Sequence, residues 1–199
     1  VDALLAPMRQ SGRNWVMPVL VSDPEATTGL DPLSPIFPLN GARNVARLSR
    51  TPPGGSIAVF MRPCEVRAFV ELVKLKQGNP DPLYIISVDC LGAVDNRTAR
   101  KHAEEEGRRY TTAFVDKFLS AGDGQLEMLA PACRVCEHPI AEAVDLAVGI
   151  FGTTIDTHLL LEARSEKGEG LINALGLSAG DKPAERPAAS QAEQYELAR

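Results

Sequence analysis

The sequence is poor in aromatic residues, which fill 5% of its 199 positions and include a single Trp. No apolar run approaches the roughly 20 residues a helix needs to span a bilayer, so no membrane span is expected. Nor does the chain open on the basic, apolar and small-residue pattern of a secretory signal, and the expected location is cytoplasmic. Positive charge is not in excess: 21 basic residues face 26 acidic ones, for a net charge of -5. The basic residues are scattered rather than clustered, which gives no reason to expect a nucleic-acid partner. Nucleotide fingerprints are missing too, with no G-x-G-x-x-G and no P-loop, and no Ser/His/Asp ordering points to a nucleophilic triad.

What the chain does have is 44% hydrophobic residues together with 16 Gly and 15 Pro. That is enough for a sizeable core in one domain, or one domain with appendages. The composition is loop-rich yet too apolar for disorder. The chain begins at Val1 rather than Met, which leaves room for a longer protein. Its four cysteines are Cys64, Cys90, Cys133 and Cys136. Without a secretion signal, a metal or redox site is the stronger reading of them and a disulfide framework the weaker.

Taken in order, residues 1–8 read as a short helix and residues 15–21 as a strand, apolar and β-branched. From Pro24 to Pro53 the chain is rich in proline, with one brief helix allowed by Ala42, Val45, Ala46 and Leu48. A connection this long is either a functional cover or an ordinary wrapping loop. Residues 57–61 have the length and composition of a buried strand. Val66, Phe69, Val70 and Val73 then recur at the spacing of one helical face. Pro63 suits the turn into that helix, since its missing N–H costs nothing where N–H groups are already unpaired. Residues 78–82, Gly-Asn-Pro-Asp-Pro, break the chain before a second buried strand at 83–88. Strand, helix, strand is the βαβ pattern. The expected fold class is therefore α/β, loop-rich, with a mainly parallel sheet built from βαβ units and these two strands parallel and adjacent.

Further on, residues 97–107 read as a solvated helix face, while Tyr110, Phe114 and Phe118 mark a helix that packs on the sheet, stopped by 121–124. Residues 126–129 read as a small edge strand. Residues 144–150 and 158–163 read as two strands joined by a turn or small cofactor loop, and 168–176 as a short helix. Beyond Ser178 the composition is that of a linker, and 191–199 begins to look helical. The expected organisation is one α/β domain over residues 1–177, followed by a linker and truncated helix over 178–199.

The two single cysteines fall at equivalent places in the βαβ unit. Cys64 lies at the strand-to-helix junction, on the positive end of a helix dipole, where a thiolate is favoured over a thiol and can bind metal. Cys90 follows the second strand, so both leave the same carboxyl edge, outside which open α/β sheets bind ligands. Cys133-x-x-Cys136 is a local clamp. Any one buried cysteine is most often simply core, and a lone C-x-x-C serves zinc or dithiol chemistry as well. Four together match the needs of a [4Fe–4S] cubane, and also of tetrahedral zinc. Zinc sites tend to pair two C-x-x-C clamps, whereas here two ligands stand singly at the mouth of a sheet. That puts iron–sulfur ahead and leaves a non-enzymatic interaction module with a structural zinc as the alternative. Arg62, Arg67 and Arg134 lie beside the ligands, and positive charge there stabilises the reduced form of a cluster. Glu65 and Glu137, each directly after a cysteine, read as first-turn acids that complement a helix dipole.

The segments Arg62-Pro63-Cys64-Glu65-Val66-Arg67-Ala68, Glu71 to Gln77, Asp89-Cys90-x-Gly92 and Ala132-Cys133-x-x-Cys136-Glu137 resemble the beta subunits of coenzyme F420-reducing hydrogenases and formate dehydrogenases. The resemblance is strongest to members that work beside heterodisulfide reductase-type modules in anaerobes, and it covers roughly residues 15–177. It implies an iron–sulfur flavoprotein: an oxidoreductase subunit, active within a complex of other redox subunits. A [4Fe–4S] cluster and FAD would there exchange electrons with a two-electron carrier such as the deazaflavin or a nicotinamide. By the resemblance Cys64, Cys90, Cys133 and Cys136 are the cluster ligands, the same four that spacing singles out. The ferredoxin-like segment of longer members, with repeated C-x-x-C-x-x-C, has no counterpart here. For an FAD at the same edge, the candidate pyrophosphate partners are Arg62, Arg67 and the helix N-terminus after Pro63.

Overall fold

The computed structural model describes residues 1–10, 15–50, 54–107, 109–120, 127–151, 153, 155 and 157–177. Its centre is the strand-helix-strand unit: β3 (Ile57–Met61), α2 (Pro63–Lys74) and β4 (Leu83–Val88). The two strands are adjacent and parallel, in register from Ile57 opposite Leu83 to Met61 opposite Ser87. Four more strands extend it, β1 (Ala3–Arg9), β2 (Val16–Val21), β5 (Leu146–Gly149) and β6 (Leu160–Ala163), in the order β2-β1-β3-β4-β5-β6. β1, β3, β4 and β5 run parallel, while β2 and β6 close the two sides antiparallel. The fold is α/β with a mostly parallel sheet, as expected.

Side chains alternate across a strand, so a sheet covered on both faces needs apolar residues at almost every position. β3 meets that demand. Ile57, Val59 and Met61 pack on one face with Val45 and Ala46 of α1 (Ala42–Arg50) and Val66 and Phe69 of α2. Phe60 turns to the opposite face, shared by Val88, Ala99 and Ala103 of α3 (Asn96–Glu106), and Phe114 and Phe118 of α4 (Arg109–Ser120). A short α5 (Pro131–Arg134) carries the first clamp cysteine, and α6 (Glu166–Ala174) packs on β5 and β6. No helix among the described residues is long and apolar enough to cross a membrane.

Two local expectations are corrected. Residues 1–8 are not a helix but most of β1, which forms a hairpin with β2 closed by the Gln10 N–H on the Trp15 carbonyl at 2.7 Å. Long-range pairing overrides the helical preference of Ala, Leu and Met, and Pro7 would in any case break a helix at that point. The strand tolerates Pro7 because the β1–β3 ladder covers only Ala3 to Leu5. Nor do the described residues of 126–129 form an edge strand: Leu129 makes one bridge, to Val94. The Arg134 side chain donates to the carbonyls of Glu127 (2.7 Å) and Leu129 (2.8 Å), taking acceptors a strand partner would need. The expectations for 121–124 and for 178–199 lie outside the described residues, as does part of the 152–157 loop.

Candidate metal centre

The carboxyl ends of β3 and β4 open into a cavity of about 310 Å³, and Cys64, Cys90, Cys133 and Cys136 all line it. None is in a disulfide. Each is placed by a different local device. Pro63 opens α2 and puts Cys64 in its first turn. Cys90 lies two residues past the end of β4, its N–H donating to the Pro139 carbonyl at 2.8 Å, which joins it to the stretch after the clamp. Asp89 before it is buried and accepts from the N–H groups of Ile150 (3.0 Å) and Phe151 (3.2 Å), fixing the strand end from the β5 side. The clamp is brought in by the Ala130 N–H on the Ala93 carbonyl (2.7 Å) and closed by the Cys136 N–H on the Cys133 carbonyl (3.3 Å).

Cys64 is exposed at the cavity mouth, and desolvation by the surrounding protein pushes its thiol up to about 12, with Cys90 and Glu65 adding to the rise and the Arg62 guanidinium opposing it. Cys90 is raised as well, by burial first, against the pull of Arg62 and of the Gly92 N–H, with Cys133 and Cys136 pushing it further. The shift at Cys64 thus runs opposite to the thiolate expected from the sequence. Binding a metal displaces such protons, because its charge stabilises the thiolates.

The donor chemistry is thiol-dominated, with His138 and Asp95 as the other titratable side chains lining the cavity. Among the described residues no three Cys, His, Asp or Glu side chains are grouped as ligands for one metal ion. At about 310 Å³ the cavity is far larger than one water needs, which leaves room for a polynuclear group. Four thiols around a space of that size fit a [4Fe–4S] cluster.

The three arginines have separate fates. Arg62 is buried, donates to the Ser34 carbonyl and lies over the Phe37 ring at 4.4 Å. Arg67 is exposed on the outer flank of α2, lining a neighbouring groove of about 270 Å³ that shares Pro63 and His138 with the cysteine cavity. Arg134 donates to the two carbonyls of its own loop. Glu65 does more than complement a dipole: it accepts from the N–H of Arg62 at 2.8 Å and of Gly41 at 2.6 Å. Sequence reading missed Phe37, Gly41 and the anchoring role of Asp89. Only Asp89, directly before a strand-end cysteine, carried a signal.

A family model for the C-terminal part of the coenzyme F420 hydrogenase/dehydrogenase beta subunit matches residues 54–180. The chain is 28% identical over 138 residues to the F420-dependent formate dehydrogenase 1 subunit beta of Methanococcus maripaludis, covering 58% of this chain and 36% of that protein. It is 27% identical over 139 residues to the F420-dependent formate dehydrogenase subunit beta of Methanocaldococcus jannaschii, covering 58% and 35%. The chain thus spans little more than a third of the length of these relatives. A chain of the F420-reducing [NiFe] hydrogenase complex from Methanosarcina barkeri shares the fold, with a TM-score of 0.67 at 13% identity over 99% of this chain and 76% of that one.

Proposed function

The chain belongs to the coenzyme F420 hydrogenase/dehydrogenase beta subunit family, and from that premise we propose that it is the iron–sulfur electron-transfer part of an oxidoreductase subunit that works within a larger complex. The observation that carries the reading is the convergence of four cysteines, from three separate segments, on one cavity at the carboxyl edge of a parallel sheet. Cys64, Cys90, Cys133 and Cys136 would hold a [4Fe–4S] cluster there. When bound, the cluster supplies one-electron transfer, and an FAD at the same edge supplies the exchange between single electrons and the pairs that a deazaflavin or nicotinamide carries.

The chain's own residues set the conditions. The Gly92 N–H donates to Cys90 Sγ at 3.4 Å and the Arg62 charge acts on both Cys64 and Cys90; both favour the more negative, reduced state. Arg67, exposed beside the cysteine cavity, is the basic group better placed for the pyrophosphate of a flavin, since the Arg62 guanidinium is already engaged by Ser34 and Phe37. The partners of this reading are the other subunits of a hydrogenase, formate dehydrogenase or heterodisulfide reductase-type complex; the names of the similar proteins support the first two.

Anaerobic reconstitution with iron and sulfide tests it. A brown protein with four irons per chain and broad visible absorption is expected, with most of the iron lost in Cys90→Ser. A colourless protein that takes zinc instead, or a Cys90→Ser variant with full iron, would overturn the cluster and favour a structural zinc module. Equilibrium titration of the iron-loaded protein with FAD tests the flavin, and binding weakened by Arg67→Ala is expected. Binding seen only in the assembled complex would move that site to an interface.

A further inference from the structure

The proline-rich connection between β2 and α1 passes beside the cysteine cavity and is buried at residues 34–36, with Ser34 at 0% and Ile36 at 1% exposure. It is tied to the segments that carry the cysteines. At Cys64, the buried Glu65 carboxylate accepts from Gly41 N–H through one oxygen and from Arg62 N–H through the other. Arg62 returns the connection by donating to the Ser34 carbonyl and lying over Phe37. Beyond Cys90, the Val94 N–H donates to the Pro35 carbonyl at 3.0 Å. Val94 also bridges Leu129, and Ala93 holds Ala130, three residues before Cys133. Phe37 itself lines the cysteine cavity. At Gly41 a Cβ would lie 2.8 Å from Glu65 Oε1, so the latch needs that glycine. A wrapping loop has no use for a buried carboxylate and a buried guanidinium from the helix it crosses, because both are costly to desolvate unless their partners are held in place.

We propose that residues 34–41 form a positioning strap for the sulfur site: Glu65 and Gly41 latch it, Phe37 walls the cavity, and the strap holds the Arg62 guanidinium as a dry positive charge that raises the reduction potential of the centre the four cysteines hold. The inference rests on the cluster reading above. Arg62 is 6% exposed, and a charge in such surroundings is screened far less than one in water. It stands two residues before Cys64 and lies over Phe37, which lines the cysteine cavity. Glu65 carries the opposite sign, so the effect of Arg62 is isolated by removing that charge alone.

The test uses anaerobically loaded wild-type protein, Arg62→Gln, Arg62→Lys and Phe37→Ala, with iron counted in each. In Arg62→Gln the ratio of reduced to oxidised centre at a fixed poise should fall about tenfold, a 59 mV shift for one electron. Arg62→Lys, which keeps the charge, should recover most of it. Phe37→Ala should load the wild-type amount of iron but lose it to a chelator at least tenfold faster, its wall being open. A wild-type potential in Arg62→Gln, or wild-type release in Phe37→Ala, overturns the strap. If Arg62→Gln holds no iron, the release rate of Phe37→Ala decides. A wild-type protein that takes up no iron overturns the cluster reading and this inference with it, whereas normal iron with unmoved potential and release overturns the inference alone.

Discussion

The N–H of Gly92 points at the sulfur of Cys90 across 3.4 Å, with the Gly92 backbone at φ +95°. That region is open to glycine and strained for residues with a Cβ. The space is also closed: a Cβ there would meet both Leu129 methyl carbons at 2.9 Å and Cys133 Cβ at 3.4 Å. Gly92 therefore lets the Cys90 turn and the Cys133 helix approach each other. Gly92→Ala should cost about 1–3 kcal/mol of stability through backbone strain and lower the iron content after reconstitution. Thermal unfolding and an iron assay would check both, and wild-type values in the two would refute the role.

Gly168 is the equivalent close approach at the far side of the sheet. It begins the packing of α6, where a Cβ would stand 1.9 Å from the Asp145 carbonyl oxygen and 3.3 Å from Ala163 Cα. Those are backbone atoms, which cannot swing aside as a side chain can. Ser165 caps the helix, accepting from Gly168 N–H at 3.2 Å and donating to Asp145 Oδ1 at 2.5 Å, so the helix start is pinned. Gly168→Ala should cost at least the upper end of the about 1–3 kcal/mol typical of overpacking. Urea unfolding of the full chain measures it, and a loss under about 1 kcal/mol would mean that α6 shifts freely.

Tyr110 gives a pH prediction. Burial, and then the neighbouring Glu106 carboxylate, push its phenol up to about 12. An unfolded tyrosine ionises near 10. Between about pH 10 and 12 the unfolded chain therefore loses this proton while the folded one keeps it. The stabilisation is fully present below about pH 10 and is lost as pH rises through 12. Ultraviolet titration should show one of the three tyrosines ionising late, and Tyr110→Phe should remove that step. The hydroxyl finds no hydrogen-bond partner among the described residues, so the same variant should be as stable as wild type at neutral pH, or more stable by about 1 kcal/mol. A clear destabilisation would show that the hydroxyl has a partner.

The βαβ centre was legible in the sequence because its signals are local and agree. Residues 57–61 and 83–88 are unbroken apolar runs, Pro63 marks the helix start, and Val66 and Phe69 share the buried face. Two apolar stretches were misread where a contact other than propensity decided the outcome. Residues 1–8 became β1 by pairing with β2 and with β3 far along the chain, and the Leu129 carbonyl went to the Arg134 side chain five residues on. In each case propensity was weak and a specific contact stronger.

By itself the sequence determined which groups are available for the proposed chemistry. It has only four cysteines, and the parallel βαβ rule sends Cys64 and Cys90 to one edge whatever the rest of the chain does. Whether Cys133 and Cys136 reach that edge was decided by contacts no period encodes: Cys90 on Pro139, Ala130 on Ala93, and the missing Cβ of Gly92. The strap was decided in the same way. Gly41 and Glu65 are 24 residues apart, and nothing in a proline-rich stretch says that its last glycine will meet a carboxylate. Local pattern reports a residue's own backbone and its neighbours along an element, whereas a buried polar pairing depends on which chain arrives opposite it, and only the folded sheet brings that chain there.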